Sequence, residues 1–139
     1  MTAIQHVNVM VDDLASATHF YRDVIGLSPI DTPDLGFPAQ FFSIGADQEL
    51  HVNQLDDTRP LRAHFCLRVD DFDGVVARAE ASQAIETATW GLAKRLPSGV
   101  MQLFVRDPAG NLIEIACDPD QPISDDFFDR SYADPGPSA

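Results

Sequence analysis

The sequence predicts an α+β fold made of two strand–helix–strand–strand–strand modules within one 139-residue chain. Three observations carry that reading. Sliding the chain along itself by 58 residues aligns His6-Val7-Asn8-Val9-Met10-Val11-Asp12-Asp13-Leu14 with His64-Phe65-Cys66-Leu67-Arg68-Val69-Asp70-Asp71-Phe72 without a gap. Each copy runs from a strand of alternating character into an Asp-Asp pair, which can cap a helix and place negative charge at its positive end. Each then closes with short apolar-alternating runs separated by tight-turn residues.

Taken in order, the first strand covers the segment from His6 and alternates Val7, Val9 and Val11 against His6, Asn8 and Met10. A helix follows, because Leu14, Ala17, Tyr21, Val24 and Ile25 recur at helical spacing and Gly26 stands where a helix end favours a left-handed residue. Strands are expected at Gln40–Ile44 and Glu49–Gln54, with the turn Gly45-Ala46-Asp47 between them. The second copy repeats this with a strand from His64 and a helix marked by Phe72, Val75, Val76 and Ala79. Strands follow at Met101–Val105 and Asn111–Cys117, around the turn Asp107-Pro108-Ala109-Gly110-Asn111. One further strand per copy is expected in Ser28–Ala39 and Ala84–Gly99. The modules span about residues 1–57 and 61–118, joined near Asp56–Leu61.

Residues 119–139 form an acidic, proline-containing tail, expected to be mostly mobile. From Asp118 onward the chain carries six Asp against one Arg. Phe127, Phe128 and Tyr132 are the exception, and the expectation for them is packing against the domain or a neighbouring subunit. A lid over a pocket is the alternative.

Charge narrows the partners. A net charge of −13 repels phosphate backbones and anionic lipid surfaces, so neither nucleic acid nor a membrane is expected. No apolar run reaches the length of a membrane span and the first residues lack the build of a secretory signal, so the expected location is cytoplasmic. Cys66 and Cys117 form no C-x-x-C pair and are expected to be core thiols. There is no G-x-x-x-x-G-K-[ST], G-x-G-x-x-G or G-x-S-x-G motif. Arg22, Arg68, Lys94, Arg95 and Arg106 are too scattered for a polyanion stripe.

Strand alternation sorts the polar residues onto one surface. With Val7, Val9, Val11, Phe65, Leu67, Val69, Leu50, Val52, Ile113 and Ile115 on the apolar faces, His6, His64, Arg68, Glu49, His51, Asn53 and Glu114 fall on the opposite faces. Gln102 and Phe104 share a face and are candidate pocket-wall residues. A single strand histidine is by default a hydrogen-bonded groove residue. Two histidines and a carboxylate from three strands are instead the donor set of a facial triad for a divalent metal, with imidazole and carboxylate suiting Mn, Fe, Ni or Zn. His51 or Glu49 can supply a fourth group. His19 lies on the polar side of the first helix and is expected to be solvated.

With these residues in register, the sequence resembles the vicinal oxygen chelate superfamily, which includes glyoxalase I, fosfomycin-resistance thiol transferases, extradiol dioxygenases, methylmalonyl-CoA epimerase and bleomycin-resistance proteins. The resemblance covers about residues 3–117. Its most specific pieces are His19-Phe20-Tyr21-Arg22-Asp23-Val24-Ile25-Gly26-Leu27 and Phe104-Val105-Arg106-Asp107-Pro108-Ala109-Gly110-Asn111-Leu112-Ile113-Glu114-Ile115. It implies two βαβββ modules forming a cupped open barrel, the glyoxalase/bleomycin resistance/extradiol dioxygenase fold. It further implies metal ligands at His6, His64 and Glu114. The fourth-strand position stays open between His51, which matches Glu114 through the repeat, and Glu49, whose run with Asn53 resembles the glyoxalase pattern.

The branches of that family fit unequally. Met10 stands where glyoxalase I carries an arginine, with Arg68 at the equivalent place in the second copy. Cys117-Asp118-Pro119-Asp120 replaces the residues that hold a phosphonate in the fosfomycin enzymes, so phosphonates are discounted. The additional His and Tyr of the extradiol enzymes are not met. The resemblance therefore implies a metal-dependent glyoxalase-like lyase or isomerase acting on a small oxygenated metabolite, with Glu49 or His51 as catalytic acid/base and Asn53, Arg68, Gln102 and Phe104 binding substrate. The alternatives are a metal-free drug-binding protein of the bleomycin-resistance type and a small ring-cleaving dioxygenase. A homodimer is expected in each case.

Overall fold

The computed structural model describes residues 4–56 and 62–137, so the expected junction near Asp56–Leu61 lies, beyond Asp56, outside the described residues. The chain divides into two compact units. One holds the described residues up to 56 together with Asp107–Asn111, and the other holds Arg62–Arg106 with residues 112–137.

The first unit runs β1 (His6–Val11), α1 (Leu14–His19), a π-helical turn (Phe20–Ile25), β2 (Ser28–Ile30), β3 (Ala39–Ser43) and β4 (Glu49–Gln54). The second runs β5 (His64–Arg68), α2 (Phe72–Ala81), β6 (Lys94–Arg95), β7 (Met101–Arg106) and β8 (Leu112–Cys117). The two sheets share one topology, with orders β1-β4-β3-β2 and β5-β8-β7-β6. In each, the first strand lies parallel to the closing strand and the remaining pairs are antiparallel. The extra strand expected in each long connection is present as β2 and β6.

Both helices start as the Asp-Asp pairs predict, and in each pair the second aspartate is the cap. Asp13 accepts hydrogen bonds from the Ala15 and Ser16 amides, and Asp71 accepts one from Gly74. The first helix does not keep its α-period to the end, since the turn from Phe20 widens and buries Phe20, Tyr21, Val24 and Ile25 together. Gly26, at φ 94°, ends it with its amide and that of Leu27 both on the Tyr21 carbonyl. In α2 the buried residues are Phe72, Val75, Val76 and Ala79, the set the spacing predicts.

Each core lies between the helix and the apolar sheet face. Val11, Leu50, Val52 and Phe42 are fully buried in the first unit, and Leu103, Val105, Ile113 and Ile115 in the second. Burying each such side chain is worth about 1.5–3 kcal/mol. The turn Asp107–Asn111 does more than reverse the chain. The buried Asp107 carboxylate accepts from the Ala109 and Asn111 amides, the Asn111 side chain and the Tyr21 hydroxyl, while Asn111 also donates to the Met10 carbonyl. Burial, reinforced by Asp107, pushes the Tyr21 hydroxyl well above its ordinary pKa.

The tail corrects the expectation of mobility. Gln121 accepts from the Phe72 amide and donates to the Val69 carbonyl, and Ser124 donates to Asp73 on the first turn of α2. Phe127, in a 3-10 turn (Phe127–Asp129), is fully buried against Phe72, with Phe128 and Tyr132 edge-on to it and Arg130 over its face. Three aromatic side chains and side-chain caps to α2 outweigh the disorder that the Pro and Asp content predicts. Among the described residues no helix is long and apolar enough to cross a membrane.

Candidate functional site

In the first unit the polar face of the sheet gathers one aromatic stack. Register sets His51 opposite Asn8 on β1 and opposite Phe41 on β3, so its ring projects between neighbours from both strands. Its imidazole lies flat on Phe41, centroids 3.5 Å apart, and flat on His6 at 4.2 Å. His51 Nε2 meets Glu49 Oε2 at 2.8 Å, and His6 Nδ1 meets the Gln5 side-chain oxygen at 2.6 Å. His51 and Glu49 thus form one hydrogen-bonded pair, with the carboxylate fixing the ring. Asn53, buried one alternation further along β4, donates to Asn8 Oδ1, and its own Oδ1 has no partner among the described residues.

In the second unit His64 and Glu114 come together. His64 Nε2 stands 3.3 Å from Glu114 Oε2, and Gln102 donates to the other carboxylate oxygen at 2.8 Å. The carbonyl of Arg62 can only accept, so the contact at 3.1 Å makes His64 Nδ1 the donor and turns Nε2 toward the Glu114 carboxylate. Phe104 and Trp90 both stand edge-on to the imidazole, at 5.3 and 5.8 Å. These residues, with Lys94, line a cavity of about 250 Å³.

Sequence reasoning singled out Gln102 and Phe104 and passed over Trp90 and Lys94. Both lie in or beside the irregular connection after α2, where no periodicity points a side chain. The signal available was Trp90 itself, the chain's single tryptophan, 44% exposed. Arg68 does not line that cavity and instead approaches Asp118 at 3.4 Å on the surface. His19 is solvated as expected and pairs with Asp23. Of the two cysteines only Cys117 is a core thiol, because Cys66 alternates with buried Leu67 onto the polar face opposite Glu114. Burial, then the nearby Glu114 carboxylate, pushes the Cys66 thiol up to about 11, so it is not a thiolate donor near neutrality.

Among the described residues no three His, Cys, Asp or Glu side chains form a group able to hold a metal ion as they stand. The donor chemistry of the second unit nevertheless fits a divalent cation. An imidazole nitrogen and a carboxylate oxygen 3.3 Å apart are the two donor types that meet on one positive centre, a proton or a metal. The Nδ1–H bond to a backbone carbonyl is the outer support that metal-ligating histidines use.

Residues 3–115 match the model of the Glyoxalase/Bleomycin resistance protein/Dioxygenase superfamily. Among solved structures, a glyoxalase family protein from Bacillus anthracis is similar at 25% identity and TM-score 0.69, over 85% of this chain and 96% of that one. Lactoylglutathione lyase from Agrobacterium tumefaciens is similar at 29% identity and TM-score 0.63, over 86% and 96%. The fosfomycin resistance protein FosX from Listeria monocytogenes, at 17% identity and TM-score 0.63 over 83% and 90%, shares the fold. Among curated proteins none matches the chain. The duplicated sheets, the matched register and the family match over residues 3–115 together establish that the chain belongs to the Glyoxalase/Bleomycin resistance protein/Dioxygenase superfamily.

Proposed function

We propose that the protein is a divalent-metal-dependent lyase or isomerase of this superfamily, acting as a cytoplasmic homodimer on a small oxygenated metabolite. The observation that carries the reading is the His64–Glu114 pair, with Nδ1 held by the Arg62 carbonyl and Nε2 turned to the carboxylate. His64, Glu114 and, from the resemblance, His6 are the ligands. When bound, a metal of the Mn, Fe, Ni or Zn kind supplies a Lewis acid for neighbouring oxygens of the substrate.

The remaining work falls to the chain's own side chains. Gln102 holds Glu114 by one oxygen and leaves the other for His64. Glu49 Oε2 and His51 Nε2 stand in hydrogen-bond contact, and the stack of Phe41 and His6 keeps the imidazole plane fixed, which suits an acid/base pair. Phe104 and Trp90 give one side of His64 an aromatic wall. Lactoylglutathione lyase among the similar structures favours the lyase class.

The test is the metal content of protein purified without affinity tag or chelator, beside His64→Ala and a chelator-treated sample titrated with Mn²⁺, Fe²⁺, Ni²⁺ and Zn²⁺. Near-stoichiometric metal that the variant loses is expected. Absence of binding even on titration overturns the reading and leaves a metal-free binder of the bleomycin-resistance type.

A further inference from the structure

The chain has one lysine and one tryptophan, and both line the same cavity of the second unit, with His64, Gln102, Phe104 and Glu114. In a protein of net charge −13 an ammonium is a rare resource, and this one is not consumed by a carboxylate. Among the described residues Glu114 is engaged by His64 and Gln102, Glu86 by Thr89 and Arg106, and no ion pair takes up Lys94. Trp90 is 44% exposed, and its ring runs within 30° of the plane of Phe104 at 6.4 Å. Arg62 lies over the indole at 5.2 Å, fixing Trp90 by a cation–π contact and adding a second positive charge beside it.

We propose that this cavity binds a small aromatic carboxylate, its ring against Trp90 and Phe104 and its carboxylate on the Lys94 ammonium. An unpaired cation in a partly desolvated cavity favours an anion and disfavours a cationic ligand of the same shape. At about 250 Å³ the cavity suits one ring with a short acid arm rather than a drug-sized molecule. The inference deepens the enzyme reading above and rests on it in treating the cavity beside His64 and Glu114 as the substrate's place.

Because Trp90 is the only tryptophan, its emission reports this cavity alone. The experiment titrates full-length, chelator-treated protein with phenylacetate, benzylamine and acetate while following that emission. Phenylacetate is expected to give a saturable change. Benzylamine, the same ring with a cation, and acetate, the same anion without a ring, are each expected to bind at least about tenfold more weakly. Lys94→Gln is expected to weaken phenylacetate about tenfold, and Lys94→Arg to recover most of the loss. A readout that needs no variant comes from reductive ¹³C-methylation, which keeps the charge of Lys94 and gives it a resonance that phenylacetate is expected to move.

Equal binding of benzylamine and phenylacetate, an unchanged affinity in Lys94→Gln, or no saturable response in either signal overturns the proposal. Since the titration is run without metal, such a failure leaves metal binding at His64 and Glu114 untouched. Loss of the metal reading in turn leaves this binding measurable.

Discussion

Gln102 and Glu49 have the same task in their respective units, each fixing one group of the candidate site through a hydrogen bond. Gln102 reaches Glu114 because β7 and β8 are antiparallel with Gln102 opposite Ala116 and Phe104 opposite Glu114, so the amide sits one diagonal step away. Removing such an outer partner typically weakens metal binding 10–100-fold. Gln102→Leu is therefore expected to lower divalent-metal affinity at least about tenfold in a competition titration, with the melting temperature of chelator-treated protein nearly unchanged. An unaltered affinity would show that Glu114 needs no such support. The site residues on regular strands were legible in the sequence because alternation alone decides their face. His6, His51, His64, Glu114, Gln102 and Phe104 all stand on the surfaces that alternation assigns to them. Trp90 and Lys94 were not legible, since a connection with a two-residue strand has no period from which to read direction.

At the scale of elements, the caps Asp13 and Asp71 were readable because their partners lie two or three residues away. The packing of the tail was not, because it depends on Phe72 and Asp73, some fifty residues distant, while the local composition argues for disorder. That packing predicts a large effect from a single truncation. Phe127→Ala is expected to cost about 3–5 kcal/mol by leaving a cavity against Phe72. A drop in melting temperature of roughly 10 °C or more should follow. A drop of a degree or two would restore the mobile tail that the prolines and aspartates suggest.

Across the whole molecule, both tyrosines are held protonated. Burial, with Asp107 next to it, raises Tyr21 well above 10, and burial together with the hydrogen bond to Glu80 raises Tyr132 to about 12. A folded value raised above the unfolded one means that the stabilisation is complete below about pH 10 and is lost as pH climbs through the folded values. Stability should fall above pH 10, and tyrosinate absorbance near 295 nm should stay flat through pH 10. It should then rise together with the loss of far-ultraviolet structure. A normal step centred at pH 10 in folded protein would mean that at least one hydroxyl is free. The duplication itself was legible over its first strands and helices, where 58 residues separate equivalents, and the sheets carry the same strand order.

The turn Asp107–Asn111 gives this duplicated chain an order of assembly. Tyr21 and Met10 find their partners 86 and 101 residues downstream, while the first helix and its sheet otherwise pair within the first module. During synthesis the strands of the first unit emerge first, whereas Asp107, the acceptor of the Tyr21 hydroxyl, emerges 86 residues after Tyr21 itself. The two halves of the repeat are thus equal in sequence pattern and unequal in time, the earlier one being finished by the later.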